Sequence, residues 1–591
     1  MGAGEVPGEL GSVVREVSAE RLMEHIAEFD RWEKHAGTAG ELESLRYCER
    51  RMQEYGFATR VIQHPAFISL PGTASISFQD GEAAGPCITH SFSQPTSPEG
   101  VTAPLVYAGS GRSEDYAGLA VAGKIVLLEG IANPAAALEA GRRGAVGEVH
   151  ISPHQHLHEM CISPVWGSPG DDQLDRLPRT VTVTVALETG QLLKTRLGSG
   201  PVELTLRAEV DTGWRTTPIL EADLVRPDVG ESGSDQLVLF TGHHDTWYRG
   251  VMDNGGANAT MLEVSRLCAQ RSGSWQRSLR VLFWSGHSQG RYSSSAWYAD
   301  NHWDELERRA VVHVNVDSTG GRGNTVVSDT SASTELHGLA VEALSAQAGQ
   351  PFSGRRMSRA GDQSFWGIGV PSIYGNMSEQ PAGTGSANAM AAVFGGGNRL
   401  GHGTGWWWHN PADTADKIDP EILVRDTRIY LHTVWCLLTD QVLPLDYAAH
   451  ASALRDNIAD LTAAAGDGFD LQPLASAADK LAEACRELRA AIDSNRLAPA
   501  AANECLRRLS RCLVPIDYTI GDRFRHDPAL SQPPLPALAG LRSLRSLEAG
   551  TPAFLFLHSR LIRERNRVAF AVREAAAAVG EALAGGSQVT P

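Results

Sequence analysis

From Ile219 to about Asp440 the chain alternates short apolar runs with stretches of helical period. Gln236–Phe240, Leu279–Trp284 and Ala310–Val316 are uninterrupted enough to predict strands buried on both faces. Between the first two, Met261, Leu262, Val264, Leu267 and Cys268 recur at helical spacing and predict a core-facing helix over Asn258–Cys268. Strand, helix, strand in that order predicts a three-layer, mixed-sheet α/β domain. Upstream, Leu22, Ile26 and Phe29, then Leu42, Leu45, Met52 and Tyr55, predict two helices between Ser18 and Tyr55, broken at Gly37–Gly40 and followed by a strand over Ala58–Ile62. From Pro65 to Thr212 the texture becomes β-rich with frequent Gly and Pro, as in Val181–Val185 and Val202–Leu206. Within that stretch, a strand at Gly123–Leu128, a helix around Ala135–Arg143 and a strand at Gly144–Val149 predict a small inserted domain. After Leu443–Asp446 the pattern is helical and Ala-rich, over Ala448–Ala465, Ala475–Ile492, Ala500–Leu513 and His558–Ala584, with a loop at Pro533–Pro536. The expected organisation is therefore 1–62 with 215–445 as the α/β domain, 63–214 as an insert and 446–591 as a helical domain.

Composition narrows the function classes. At 591 residues the chain is too long for one core. An apolar content of 42% is that of a globular protein, and no run of about 18 apolar residues exists to cross a bilayer. A net charge of −17 argues against nucleic acid or anionic membrane as general partners. The eight cysteines contain no Cys-x-x-Cys, as expected of reduced thiols in a cytoplasmic protein. Met1–Pro7 has neither the basic start nor the apolar core of a secretory signal, and Val6 stands where a myristoylation motif has Ser or Thr.

Polar groups gather where the predicted strands end. The first run leads into His243-x-Asp245, whose side chains project to the same side of an extended chain, and Asp253-Asn254 follows in the turn before the helix. The second leads into Ser285-Gly-His287-Ser288-Gln-Gly290, the third into Asp317, and Gly405-Trp-Trp-Trp408-His409 precedes Asn410-Pro-Ala-Asp413-Thr414. A histidine and carboxylates delivered at strand ends are how an α/β protein assembles a metal site.

Taken together these motifs resemble the co-catalytic zinc aminopeptidases and their larger relatives, the glutamate carboxypeptidases and transferrin receptors. The resemblance implies metal ligands at His243, Asp253, Asp317 and His409, with Asp245 orienting the histidine and Asp253 bridging. It further implies that Gly123–Ile151 belongs to a protease-associated insert, and that the helices after Asp446 form a dimerisation domain, hence a homodimer. One position departs from the family: where it has a Glu-Glu pair, for the general base and a ligand, this chain has His287-Ser288. Two divalent cations carry four positive charges, of which Asp253 and Asp317 offset only two, so the expectation is one tightly held ion on His243, Asp253 and Asp317, and a weak second site. Zinc is the family default; a histidine with two aspartates also suits manganese or iron. His287 has three readings: a general base in place of Glu, a metal ligand, or the relic of a lost activity.

Arg249, Asp362 and Trp408 are the candidate substrate contacts, and at least one of Trp406–Trp408 is expected in the core. His244 reads as a packed histidine, and His154-Gln-His-Leu-His158 as polar surface or a lid. The function expected is hydrolysis of an amide bond in a small molecule or short peptide. The alternatives are a lyase, cyclisation or other non-peptidase step on a small metabolite, or a non-catalytic dimeric scaffold.

Overall fold

The computed structural model describes residues 8–226, 235–381 and 403–586; Met1–Pro7, read above as carrying no signal, lies outside them. Its strands are β1 (Ala58–Phe78), β2 (Ala83–Gly85), β3 (Cys87–Thr89), β4 (Val101–Tyr107), β5 (Ile125–Glu129), β6 (Gly147–Ile151), β7 (Val181–Val185), β8 (Glu203–Leu224), β9 (Leu237–His243), β10 (Ser278–Trp284), β11 (Ala310–Asn315) and β12 (Ser372–Ile373).

The α/β part is ordered β12-β11-β9-β10-β8-β1. Strands β9 to β12 run parallel, and β8 closes the sheet antiparallel to β10 and β1. Side chains alternate between the faces of β9. Val238 and Phe240 enter one apolar cluster with the helices Ala19–Phe29, Ala39–Glu54, Ala257–Ala269 and Pro420–Thr439. Leu237 and Leu239 enter another, with Tyr298 and Leu306 of the helices Ser293–Asn301 and Trp303–Arg309. Both faces are thus covered, which is why these strands are apolar throughout. The covering helices start where their caps sit: Thr38 Oγ1 accepts from the Glu41 N–H, and Asp419 accepts from Glu421 and Ile422 with Pro420 in the first turn.

Two differences from the expected organisation have physical causes. The strand expected to end at Ile62 runs on to Phe78, paired with β8 from Ala58↔Asp223 to Phe78↔Leu204 with one irregularity between Pro71 and Ala74. Pro65 does not break it, because along this stretch β1 is an edge strand beside β8 and needs no second ladder of N–H donors. The two-stranded ribbon therefore carries the chain continuously from the α/β sheet into the insert, whose sheet is ordered β8-β4-β5-β6-β7-β3. Within that insert the helix expected around Ala135–Arg143 is present as Pro134–Arg142, and a second helix, Leu187–Ser199, was not expected.

The helical region, built on Tyr447–Ala465, Gln472–Asp493, Pro499–Tyr518 and Pro552–Gly586, shares one apolar cluster with the α/β part. Polar ties cross the same boundary. The buried Arg511 guanidinium donates to the carbonyls of Leu306, Glu307, Ala310 and Gly369, and His450 meets Glu335 at 2.8 Å. Among the described residues no helix is long and apolar enough to cross a membrane.

Candidate metal centre and cleft

Strands β9, β10 and β11 end side by side, with His243 in register with Trp284, so their C-terminal ends deliver side chains to one crevice. Asn254 ties those ends together. Its Nδ2 donates to the carbonyls of His243 and Val316, both at 3.2 Å, and its Oδ1 accepts from the Ser318 N–H at 2.9 Å. The Asp253 that precedes it is aimed by Asp413, whose carboxylate accepts from the N–H groups of Met252 (2.8 Å) and Asp253 (3.1 Å). Burial pushes the Asp413 carboxyl up to about 7. The loop reaches this position through Gly250, at φ +46°, where a Cβ would lie 2.4 Å from the Asp253 carbonyl oxygen.

Asp253 lies between two imidazoles: its Oδ1 is 3.2 Å from His243 Nε2 and its Oδ2 is 3.0 Å from His409 Nε2. Asp317 Oδ1 is 3.8 Å from the same His243 nitrogen. His243 Nδ1 donates to the main-chain carbonyl of Asp245 at 2.7 Å, which turns Nε2 toward the carboxylates. Nε2 is fully buried, yet among the described residues none makes an aligned hydrogen bond with it. A ring nitrogen without a hydrogen-bond partner, facing two carboxylates, suits a cation in that gap, so the residues present fit a divalent metal.

The Asp245 side chain does something other than expected. It does not reach the His243 ring, because its two oxygens are taken by the N–H groups of His287 (3.1 Å) and Ser288 (2.9 Å). It anchors the turn after β10, and the main chain does the orienting. That turn needs Gly286, at φ +64°, where a Cβ would lie 2.0 Å from Ser293 Oγ.

On this turn the His287 ring lies flat against that of His243, centroids 3.7 Å apart and planes 15° from parallel. Its Nδ1 donates to Asp362 Oδ2 at 2.7 Å, while Asp362 Oδ1 accepts from Ser295 Oγ at 2.7 Å. Asp362, expected against substrate, is 1% exposed and has both oxygens engaged, so it holds His287 instead. The ligand atoms of His243, His287 and Asp317 lie within 4.8 Å of one another. A ring nitrogen's lone pair lies in the ring plane, however, and two rings stacked face to face do not aim theirs at one ion. Ser288, buried beside His287, presents only a hydroxyl to the cleft.

Sequence reasoning missed the insert's part in the site. His409 Nδ1 donates to the Glu159 carbonyl at 2.6 Å, the Glu159 N–H donates back to the His409 carbonyl at 3.0 Å, and His158 Nδ1 donates to the Trp408 carbonyl at 2.5 Å. Glu159 Oε1 accepts from the Tyr248 hydroxyl at 3.1 Å, and burial pushes its carboxyl up to about 8. The only signal for this was the density of histidines in His154–His158. Of the three tryptophans, Trp407 is core, Trp406 stacks on His156, and Trp408 stacks on His409 at 3.5 Å and lines the cleft. Arg249 faces Asp30 at 3.7 Å on the surface and does not line the cleft. His244 is buried against Phe29 and Phe283, and burial lowers its pKa to about 3, as befits a packed histidine.

The cleft itself, about 1360 Å³, runs between this centre and the insert. Asp253, Asp317, His287 and His409 form its floor, and Arg112 and Arg142 of the insert also line it.

Residues 226–434, which carry every one of these floor residues, match the model of peptidase family M28. This part of the chain is similar to that family. It is 23% identical over 389 residues to a probable glutamate carboxypeptidase of Arabidopsis thaliana, 22% over 549 residues to one of Zea mays, and 26% over 210 residues to carboxypeptidase Q of Bos taurus. These alignments cover 55%, 82% and 34% of this chain, and 54%, 74% and 44% of the relatives. Among solved structures, a zinc aminopeptidase from Bacillus subtilis superposes with a TM-score of 0.54 at 20% identity, over 73% of this chain and 97% of that one. An aminopeptidase from an Aneurinibacillus strain gives 0.53 at 20% identity, over 73% and 96%. At such identities the superpositions show the fold alone.

Proposed function

We propose that this chain is a metal-dependent hydrolase of the M28 aminopeptidase and carboxypeptidase type, with His287 as its proton acceptor in place of the family's glutamate. The observation that carries the reading is the pairing of two arrangements on one cleft floor. One is a buried His243 nitrogen facing Asp253 and Asp317, with Asp253 reaching on to His409; the other is His287 hydrogen-bonded to Asp362. A divalent ion, zinc by resemblance to the relatives, would be held by His243, Asp253 and Asp317, where it polarises a carbonyl and acidifies water. Asp362 fixes the Nδ1–H tautomer of His287, which leaves Nε2 with a free lone pair to take a proton from water and return it to the leaving amine. The stacked His243 ring keeps that imidazole from swinging away.

The substrate is an amide of a small molecule or short peptide, and Arg291 points to its chemistry. This half-buried guanidinium lines the cleft four residues after His287. Among the described residues it makes no ion pair, and its Nε is buried without a hydrogen-bond partner. A substrate carboxylate would satisfy it. Exposed Phe556 and Phe570 on the last helix support a homodimer formed through the helical region, and the eight unpaired cysteines support a cytoplasmic location.

The test is hydrolysis of a dipeptide library by the zinc-loaded protein, with free amine as readout and elemental analysis alongside. Cleavage lost in His287→Ala with zinc retained supports the reading. A protein that binds no metal, or one whose His287→Ala variant keeps full zinc and full activity, overturns it.

A further inference from the structure

A second set of metal-ligating side chains lies away from the cleft, where the helix His337–Ala348 crosses the helix Pro420–Thr439. His432 and Cys436 are one turn apart on the second helix, so both face the first, which brings Glu342 to meet them. The ligand atoms of the three lie within 4.8 Å of one another, and His432 Nε2 is 3.3 Å from Glu342 Oε1. The His432 side chain is 1% exposed and Cys436 is buried, while the Glu342 side chain is 63% exposed, so an ion could reach the group from solvent. None of the three lines the catalytic cleft.

The chemistry of this set is that of a thiophilic cation. A thiolate and a carboxylate together balance one divalent charge, and a neutral imidazole completes a sulfur–nitrogen–oxygen set that suits zinc. Gln347 already holds His432 Nδ1 at 3.2 Å, and with its amide oxygen turned to that atom it would accept the ring N–H and leave Nε2 for the ion. Tetrahedral zinc sets ligand atoms about 3.5 Å apart. The remaining contraction falls on Glu342, whose solvent-exposed side chain is free to make it.

We propose that Glu342, His432 and Cys436 form a second, structural metal site for a thiophilic divalent cation, zinc by its ligand chemistry, which pins these two helices together. The full-length protein, stripped with chelator and titrated with cobalt(II), reads this directly. A thiolate-to-cobalt charge-transfer band in the near ultraviolet reports a cysteine ligand, which the histidines and aspartates of the cleft cannot produce. The expected result is one such band per chain, absent in Cys436→Ser and retained in Cys161→Ser, which removes the thiol bordering the cleft. Glu342→Ala, at an exposed position that does not endanger the fold, should keep the band but weaken its cobalt affinity about tenfold or more. Wild-type protein without the band, a band that survives Cys436→Ser, or a Glu342→Ala affinity equal to wild type would each overturn the proposal.

Discussion

Asp362→Asn isolates the group on which the proposed chemistry turns. Asp362 touches neither the cleft nor the metal centre's carboxylates, and acts only through its 2.7 Å bond to His287 Nδ1 and its 2.7 Å bond from Ser295 Oγ. An asparagine of the same shape keeps its carbonyl oxygen under the Ser295 hydroxyl and turns its NH2 toward His287. Two donors then face each other, and the imidazole moves its proton to Nε2, where it can no longer accept one. General-base catalysis is worth about 10²–10⁴ in rate, so kcat should fall by that factor, or about 2.7–5.4 kcal/mol of barrier. KM should hardly change, because no substrate contact is touched. The assay is steady-state kinetics on the best substrate from the dipeptide library, with zinc content measured on the same preparation. A kcat within about threefold of wild type would show that the tautomer is immaterial and His287 is not the base. Zinc lost along with activity would make His287 a ligand instead.

Other outcomes follow from the same geometry. Asp253→Ala removes the carboxylate shared by His243 and His409, so bound metal should disappear, and elemental analysis showing a full ion would refute its bridging place. Ser288→Glu adds a carboxylate to the cleft lining that Asp253 and His409 share and should raise the metal count from one ion toward two; an unchanged count would mean charge was not what limited the second site. His450 is buried, which by itself lowers its pKa, but the charge of Glu335 and the bond to it outweigh burial and raise the value above the usual 6.5. A raised value means that the pair's stabilisation is complete below that pH and is lost as pH rises through the folded-state value. Urea midpoints of wild type and His450→Gln should therefore differ most on the acid side and converge on the alkaline side, and a constant difference would refute the linkage. Arg511→Met leaves four carbonyls that share its guanidinium buried without that donor, and should cost about 3–5 kcal/mol; an unmoved urea midpoint would show that water replaces the bonds.

The alternation of buried strands and amphipathic helices from Ile219 to Asp440 determined the three-layer fold, because a strand covered on both faces has to be apolar along its whole length. The placement of His243 and Asp317 at strand ends, with Asp253 in the turn after the first, was legible for a related reason: spacing along a strand and into the next turn is local, and the parallel ends then meet without further choice, whereas His409 sits in a turn with no strand before it. Local spacing could not show which atom of Asp245 faces His243, since the carboxylate is drawn away by a turn more than forty residues distant, and the carbonyl of the same residue does the orienting. Nor could it pair His287 with Asp362, or bring Glu159 of the insert onto His409, because those bonds join segments that only the packed fold makes neighbours. Pro65 shows the same limit in the backbone: the residue that breaks a central strand is harmless in β1, and only the sheet order decides which kind of strand it occupies.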